Sequence, residues 1–414
     1  FRLAICQSMV LYSLARRHRS TQKTEKRKGS NMKQAIMIGA GNIGRGFIGA
    51  LLEKSGYHVT FADVAENLIS AINERKSYTV HIQDRECAEW TVTNISGISS
   101  ANQELVDAIA GDCELITTAV GLRILPIVAK PIAAGIQARK TVGSTQLLNI
   151  VACENAVRGT SQLRDAVFTH LSEEEIAYAK EYVGFADCAV DRIVPKASFE
   201  NPLDVAVEQY TEWDVEKGGW KGELPGIEGC SFVDDLSAYI ERKLFTLNSG
   251  HAICAYLGAL RGHRTIVESI ADPAIGNLVY KAMCESGEGL IRKFGFDPEA
   301  HHAYIDRIFA RFQNPFLEDE TLRVAREPIR KLAPTDRLIK PLVTAFGFGL
   351  GVDHLIFGAA AALRFQCPED EQSVELMKKI ESEGVEKALE EYTGLKPEDA
   401  LFVRILDVYR ALAL

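Results

Sequence analysis

The first half of the chain alternates between short apolar runs and stretches with apolar positions three and four apart. Gln34-Ala35-Ile36-Met37-Ile38 is apolar without polar alternation, as in a strand buried on both faces of a parallel sheet. Phe47, Ile48, Leu51 and Leu52 follow at helical spacing, and Gly56 offers a C-cap. His58 to Ala62 predicts a second strand ending at Asp63. Further strands are predicted over 113–121, 147–153 and 186–194. One or two more are predicted within 203–224, where Val205, Val207, Tyr210 and Trp213 alternate before Gly218-Gly219-Trp220. From about Asp234 the period changes to three and four, as in Leu257–Leu260, Leu290–Phe294 and Leu355–Leu363. Gly262, Pro273, Gly295-Phe296-Asp297-Pro298 and Pro334 punctuate that half.

The junction of the first strand and helix reads Gly39-Ala40-Gly41-Asn42-Ile43-Gly44, and Asp63 comes nineteen residues after Gly44. Strand, glycine motif, helix, strand and acid in that order are the dinucleotide fingerprint in its structural context. The first glycine permits the tight turn, the second admits the pyrophosphate, and the third lets the helix pack on the strand. The helix N-terminus offers free N–H groups to the phosphates. Asp63 suits the ribose hydroxyls and repels a 2′-phosphate, which favours NAD over NADP. The expected cofactor contacts are Ile38, Gly39, Gly41, Asn42, Ile43, Gly44 and Asp63, with Thr118, Ala119, Val120 and Gly121 at a neighbouring strand end. Glu154-Asn155 ends the next strand and is placed to border the same ligand. The chain is therefore read as α/β. A basic leader occupies 1–31, a Rossmann-type parallel sheet domain 32–224, and a mostly α-helical substrate domain 225–414. The active site is expected in the interdomain cleft.

Composition narrows this further. At roughly 150 residues per domain, 414 residues make two to three domains. Net charge is −9, which argues against a general nucleic-acid binder. No uncharged apolar run approaches the ~20 residues of a membrane span. Residues 1–31 carry eight Lys/Arg and one acid, Glu25. They read either as a transit peptide or as a leader ahead of a start at Met32. The second reading is preferred because the strand pattern begins within three residues of Met32. Nine dispersed cysteines without a Cys-x-x-Cys pair suit reduced thiols and a cytoplasmic location. No His/Cys spacing fits zinc, so no metal is expected.

Two segments of the helical half carry candidate chemistry. In Lys243-Leu244-Phe245-Thr246-Leu247-Asn248-Ser249-Gly250-His251, an α-helix would place Lys243, His251 and Asn248 at roughly 0°, 80° and 140°. A lysine in a closed cleft can act as general base, and an asparagine can donate to a developing alkoxide. The plain alternative is a snorkelling lysine, a helix-terminal asparagine and a satisfied histidine. The second segment holds Arg323, Arg326, Arg330, Lys331, Arg337 and Lys340. Arg326, Arg330, Arg337 and Lys340 are candidates for a substrate phosphate. Here the plain alternative is a solvated face balanced by neighbouring acids.

Several of these segments resemble the polyol-specific long-chain dehydrogenases. The carriers are Gly39 to Phe47 with Phe61-Ala62-Asp63-Val64, Ala152-Cys153-Glu154-Asn155 and Val190-Asp191-Arg192-Ile193-Val194-Pro195. Lys243 to His251 and Asp336-Arg337-Leu338-Ile339-Lys340-Pro341 complete the set. The resemblance implies a metal-free enzyme with Lys243 as general acid/base. Asn155 and Asn248 would bond the reacting oxygen, and His251 would orient the substrate. It implies hydride exchange with NAD between D-mannitol 1-phosphate and D-fructose 6-phosphate. The expected partner is a small sugar phosphate, with no nucleic acid and no membrane, bound by a monomer. A hexuronate reductase of the same superfamily and a non-catalytic NAD(H) sensor remain as alternatives. Asp191-Arg192 is read as an ion pair at the domain junction or as a substrate contact.

Overall fold

The computed structural model describes residues 32–84, 87–101, 103–195, 197–317 and 319–412; the basic leader 1–31 lies outside them. In chain order the strands are β1 (Lys33–Ile38), β2 (Tyr57–Asp63), β3 (Tyr78–Ile82), β4 (Ala88–Val92), β5 (Ile95–Ser99) and β6 (Cys113–Thr118). Then follow β7 (Leu148–Ala152), β8 (Val183–Phe185), β9 (Cys188–Asp191), β10 (Val205–Val207), β11 (Glu212–Glu216) and β12 (Cys230–Val233).

The main sheet has the order β5-β2-β1-β6-β7-β8, and every pair is parallel. The lack of alternation in β1 has a direct cause. Ala35 and Met37 pack into one apolar cluster and Ile36 and Ile38 into another, so both faces of the strand are covered. The strand order reverses between β1 and β6, which opens a crevice at their carboxyl ends. Two three-stranded sheets, β10-β3-β4 and β12-β11-β9, flank the main one.

The predicted strand over 186–194 is shortened to β9, and a separate strand, β8, precedes it. β8 closes the main sheet beside β7, while β9 runs antiparallel to β11 in a different sheet. The chain switches sheets at Asp187, whose buried carboxylate receives the Ser161 N–H at 2.9 Å and the Ser161 hydroxyl at 2.6 Å. β12 pairs in parallel with β11. The α/β part therefore extends past residue 224 to Val233.

From Leu236 onward the structure is helical. Its core is built around the helix Ser249–Leu260, whose Ile253, Cys254, Ala255 and Tyr256 are fully enclosed. The 22-residue helix Pro273–Phe294 packs beside it. Asp272 caps that helix by accepting from the Ala274 and Ile275 N–H groups, and Pro273 needs no donor at the first helical position. No helix among the described residues is long and apolar enough to cross a membrane.

Candidate active site

The glycine turn between β1 and the first helix is shaped by close approaches. Gly39 has φ +98°, and a Cβ there would lie 2.6 Å from the Ala119 carbonyl oxygen. A Cβ on Gly44 would lie 2.0 Å from the Gly39 oxygen. A Cβ on Gly41 would meet nothing within 4 Å. The first and third glycines thus serve the fold, and the second leaves space for a ligand. Asp63 Oδ2 accepts from the Ala40 N–H at 2.7 Å and Oδ1 from the Ala65 N–H at 3.0 Å. This ties the acid at the end of β2 to the turn, with carboxylate lone pairs left over. Ile38, Gly39, Gly41, Asp63, Ala119 and Val120 line one cavity of ≈ 700 Å³. The open Cβ position and the tethered acid fit a dinucleotide. Asn42, Ile43, Gly44, Thr118 and Gly121 lie around the turn but do not line that cavity. The Asn42 amide oxygen instead accepts from Arg45 at 3.3 Å.

Lys243, Asn248 and His251 line a second cavity of ≈ 230 Å³. An ordinary α-helix would splay Lys243 and Asn248 apart, but the chain does not form one here. Leu244–Asn248 is a π-helical turn, in which groups five residues apart stack. The Lys243 ammonium donates to the Val190 carbonyl at 2.9 Å and lies 4.0 Å from Asp191 Oδ1. The Asn248 amide has no protein hydrogen-bond partner among the described residues. It is a free donor facing the cavity. His251 stacks on Phe312, with ring centroids 5.1 Å apart, and its Nε2 lies 3.3 Å from Asp319 Oδ2. Burial lowers the pKa of His251, while Asp319 opposes the shift. Burial thus favours the neutral ring.

The far wall comes from Asp191, read in the sequence as a junction ion pair or substrate contact, and from Arg311, which the sequence did not single out. Asp191 accepts two hydrogen bonds from the Arg311 guanidinium, at 2.8 and 3.1 Å. Arg311 also donates twice to Glu208, each at 2.6 Å. All three are buried, and burial pushes the Glu208 carboxyl up to about 7. The junction ion pair of Asp191 is thus made with Arg311. Arg192 donates instead to the carbonyls of Glu208 and Gly46. Arg311 also lines a larger cavity of ≈ 840 Å³ beside Glu212, Asp214 and Arg242. Size does not select the site, because the lysine, asparagine and histidine all face the smaller cavity.

The four cations proposed for a phosphate do not line the cavity with Lys243. Arg330 is held by Glu327 and Asp336, Arg337 by Asp336, and Lys340 by Glu241. Arg326 is exposed just after a short helix. Arg323, from the same basic run, does line the cavity. It bonds Asp319, the carboxylate that faces His251. In the sequence its i,i+4 spacing from Asp319 looks like surface pairing. Asn155 is exposed beyond β7 and is not part of that wall. No group of three or more His, Cys, Asp or Glu side chains among the described residues could hold a metal ion.

Residues 33–229 match the mannitol dehydrogenase Rossmann domain, and residues 235–413 match the mannitol dehydrogenase C-terminal domain. Among solved structures, D-sorbitol dehydrogenase in its substrate-free form superposes with TM-score 0.70 at 14% identity, covering 91% of this chain and 98% of that one. Mannitol 2-dehydrogenase of Pseudomonas fluorescens, solved as a ternary complex with NAD and D-mannitol, gives TM-score 0.62 at 17% identity, covering 92% and 95%. At such identities the superpositions show a shared fold. The two domain matches together span nearly the whole described chain, and the protein belongs to the mannitol dehydrogenase family.

Proposed function

We propose that the protein is an NAD-dependent polyol dehydrogenase that interconverts D-mannitol 1-phosphate and D-fructose 6-phosphate, a mannitol-1-phosphate 5-dehydrogenase. The observation that carries the reading is one cavity wall bearing Lys243, Asn248 and His251 beside the guanidinium of Arg323. The first three suit an alcohol carbon, and the fourth suits an anionic substituent.

NAD, when bound, supplies the hydride acceptor for alcohol oxidation, and its reduced form supplies the donor. The protein positions the substrate and handles its proton. In oxidation, Lys243 accepts the hydroxyl proton at Nζ; in reduction, it returns that proton to the carbonyl oxygen. The Val190 carbonyl holds the amine on the cavity side of β9. The Asn248 amide donates to the oxygen as negative charge develops there. The resemblance implies the same role for Asn155, which would have to turn in from its exposed place beyond β7 to take it. His251, fixed by Phe312 and Asp319, orients a neighbouring hydroxyl. Arg323 offers a two-pronged donor to phosphate. Asp63 disfavours a 2′-phosphate and selects NAD over NADP.

The test is NADH oxidation with fructose 6-phosphate, free fructose and fructuronate compared at equal concentration. Fructose 6-phosphate should be turned over at least tenfold better than the others. Equal rates with free fructose would remove the phosphate from the reading. Higher fructuronate turnover would replace phosphate by carboxylate, which a guanidinium fork holds equally well. In either case Lys243→Ala should lower kcat by ~10²-fold or more with NADH affinity retained. Unchanged turnover in that variant would remove Lys243 from the acid/base role, and no turnover of any of the three sugars by the parent would leave a coenzyme-binding protein without this chemistry.

A further inference from the structure

Glu154, at the carboxyl end of β7, is buried. Its carboxylate receives three donors from the neighbouring strand end. The Thr118 hydroxyl donates to Oε1 at 2.8 Å, the Val120 N–H to Oε1 at 2.9 Å, and the Gly121 N–H to Oε2 at 2.9 Å. No Lys, Arg or His nitrogen among the described residues pairs with it. A buried carboxylate held only by neutral donors is costly unless those donors are well aimed. Two successive backbone N–H groups pointing at one anion form such a cradle. Gly121, which supplies one of these N–H groups, has φ +89°, a backbone conformation that favours glycine.

The segment that Glu154 grips is one side of the dinucleotide crevice. Ala119 and Val120 line the cavity at the glycine turn, and the Ala119 N–H is paired with the Ile38 carbonyl at 2.9 Å. The adenosine side of that crevice is marked by Asp63 at the end of β2. β6 and β7 lie on the other side of β1 in the sheet order. The nicotinamide half of a dinucleotide running from the glycine turn therefore crosses the ends of β6 and β7. Glu154 also precedes Asn155, and its own carbonyl accepts the Ala156 N–H at 2.8 Å. One side chain thus sets the backbone on which the nicotinamide half rests and the base of the loop carrying Asn155. With its oxygens occupied and enclosed, Glu154 does not reach the reacting atoms.

We propose that Glu154 is a positioning residue that holds the β6 and β7 loops in the register needed by the nicotinamide half of the coenzyme. The inference requires dinucleotide binding but is independent of which sugar is turned over. Glu154→Gln keeps the shape and one acceptor oxygen but sets an NH2 group against an N–H donor. Thr118→Val removes one of the three donors and leaves the carboxylate in place.

The experiment compares NADH with ADP-ribose, which lacks the nicotinamide ring, by titration calorimetry on each folded variant. For Glu154→Gln the Kd for NADH should rise at least tenfold, with ADP-ribose binding unchanged within twofold. Thr118→Val should show the same split at roughly threefold. Equal weakening of both ligands would mean that Glu154 merely supports the domain, and unchanged NADH binding would mean that it positions nothing. Either result overturns the proposal. If Glu154→Gln does not fold, Thr118→Val decides alone by the same ratio.

Discussion

Enclosure disfavours the imidazolium of His251 and lowers its pKa, and Asp319 is the group that resists this. The sign of a substitution at Asp319 follows. Asp319→Asn removes the charge that raises the His251 pKa, so the titration moves further below the ordinary 6.5. The measurement is the ring proton shift of His251 against pH by NMR in both forms. An upward movement would mean that Asp319 is not the histidine's partner in solution. Lys243, Asn248 and His251 were legible because they lie within nine consecutive residues. Asp319 was not, because it sits sixty-eight residues later among charges that read as solvated.

Two π-helical turns occur where chemistry is proposed, Gly44–Ile48 behind the glycine turn and Leu244–Asn248 behind Lys243. Each inserts one i→i+5 closure and shifts the phase of the side chains that follow. Periodicity at 3.6 cannot reveal such a turn, so the angle expected between Lys243 and Asn248 was too wide. The glycine motif is different, since its three positions have separable roles that spacing alone conveys. Gly41→Ala should fold with an unchanged Tm and lose at least tenfold in NADH affinity, since its methyl enters open space on the ligand side. Gly44→Ala places a methyl 2.0 Å from the Gly39 carbonyl oxygen. It should lower stability by ~1–3 kcal/mol or more. Thermal melts with and without NADH separate the two. A Gly44→Ala variant as stable as the parent would contradict the packing described.

The two domains meet at Arg311, which comes from the helix Pro298–Phe312 and reaches Asp191 and Glu208 in the α/β part. Replacing it by leucine would leave Glu208 with the Ile193 N–H and Asp191 with the Lys243 ammonium 4.0 Å away, and neither with its guanidinium. The expected loss is ~3–5 kcal/mol, read from urea unfolding. Arg311 lowers the Glu208 pKa and burial raises it, so the variant's Glu208 should titrate higher still. A carboxyl raised above its unfolded value contributes stability at low pH and loses it as pH rises through the folded value. Arg311→Leu should therefore be destabilised more at pH 8 than at pH 6. A loss independent of pH would show that Glu208 is not the group left exposed to this cost. Arg311 itself carried no sequence signal, being one arginine in an amphipathic helix.

Strands β1, β2, β6 and β7, the glycine turn with its aspartate, and the Lys-x₄-Asn-x₂-His segment were determined by local sequence, because each depends on residues close together along the chain, whereas β3, β4 and β5 carried no signal that was read. Which of the clustered cations faces the cavity was decided by tertiary structure, since Glu241, Glu327 and Asp336 capture Lys340, Arg330 and Arg337 while Arg323 is left at the wall. The partner of Asp191 and the three donors of Glu154 were decided in the same way. Competition among charges and hydrogen-bonding groups is settled by distance in space, and spacing along the chain does not encode that distance.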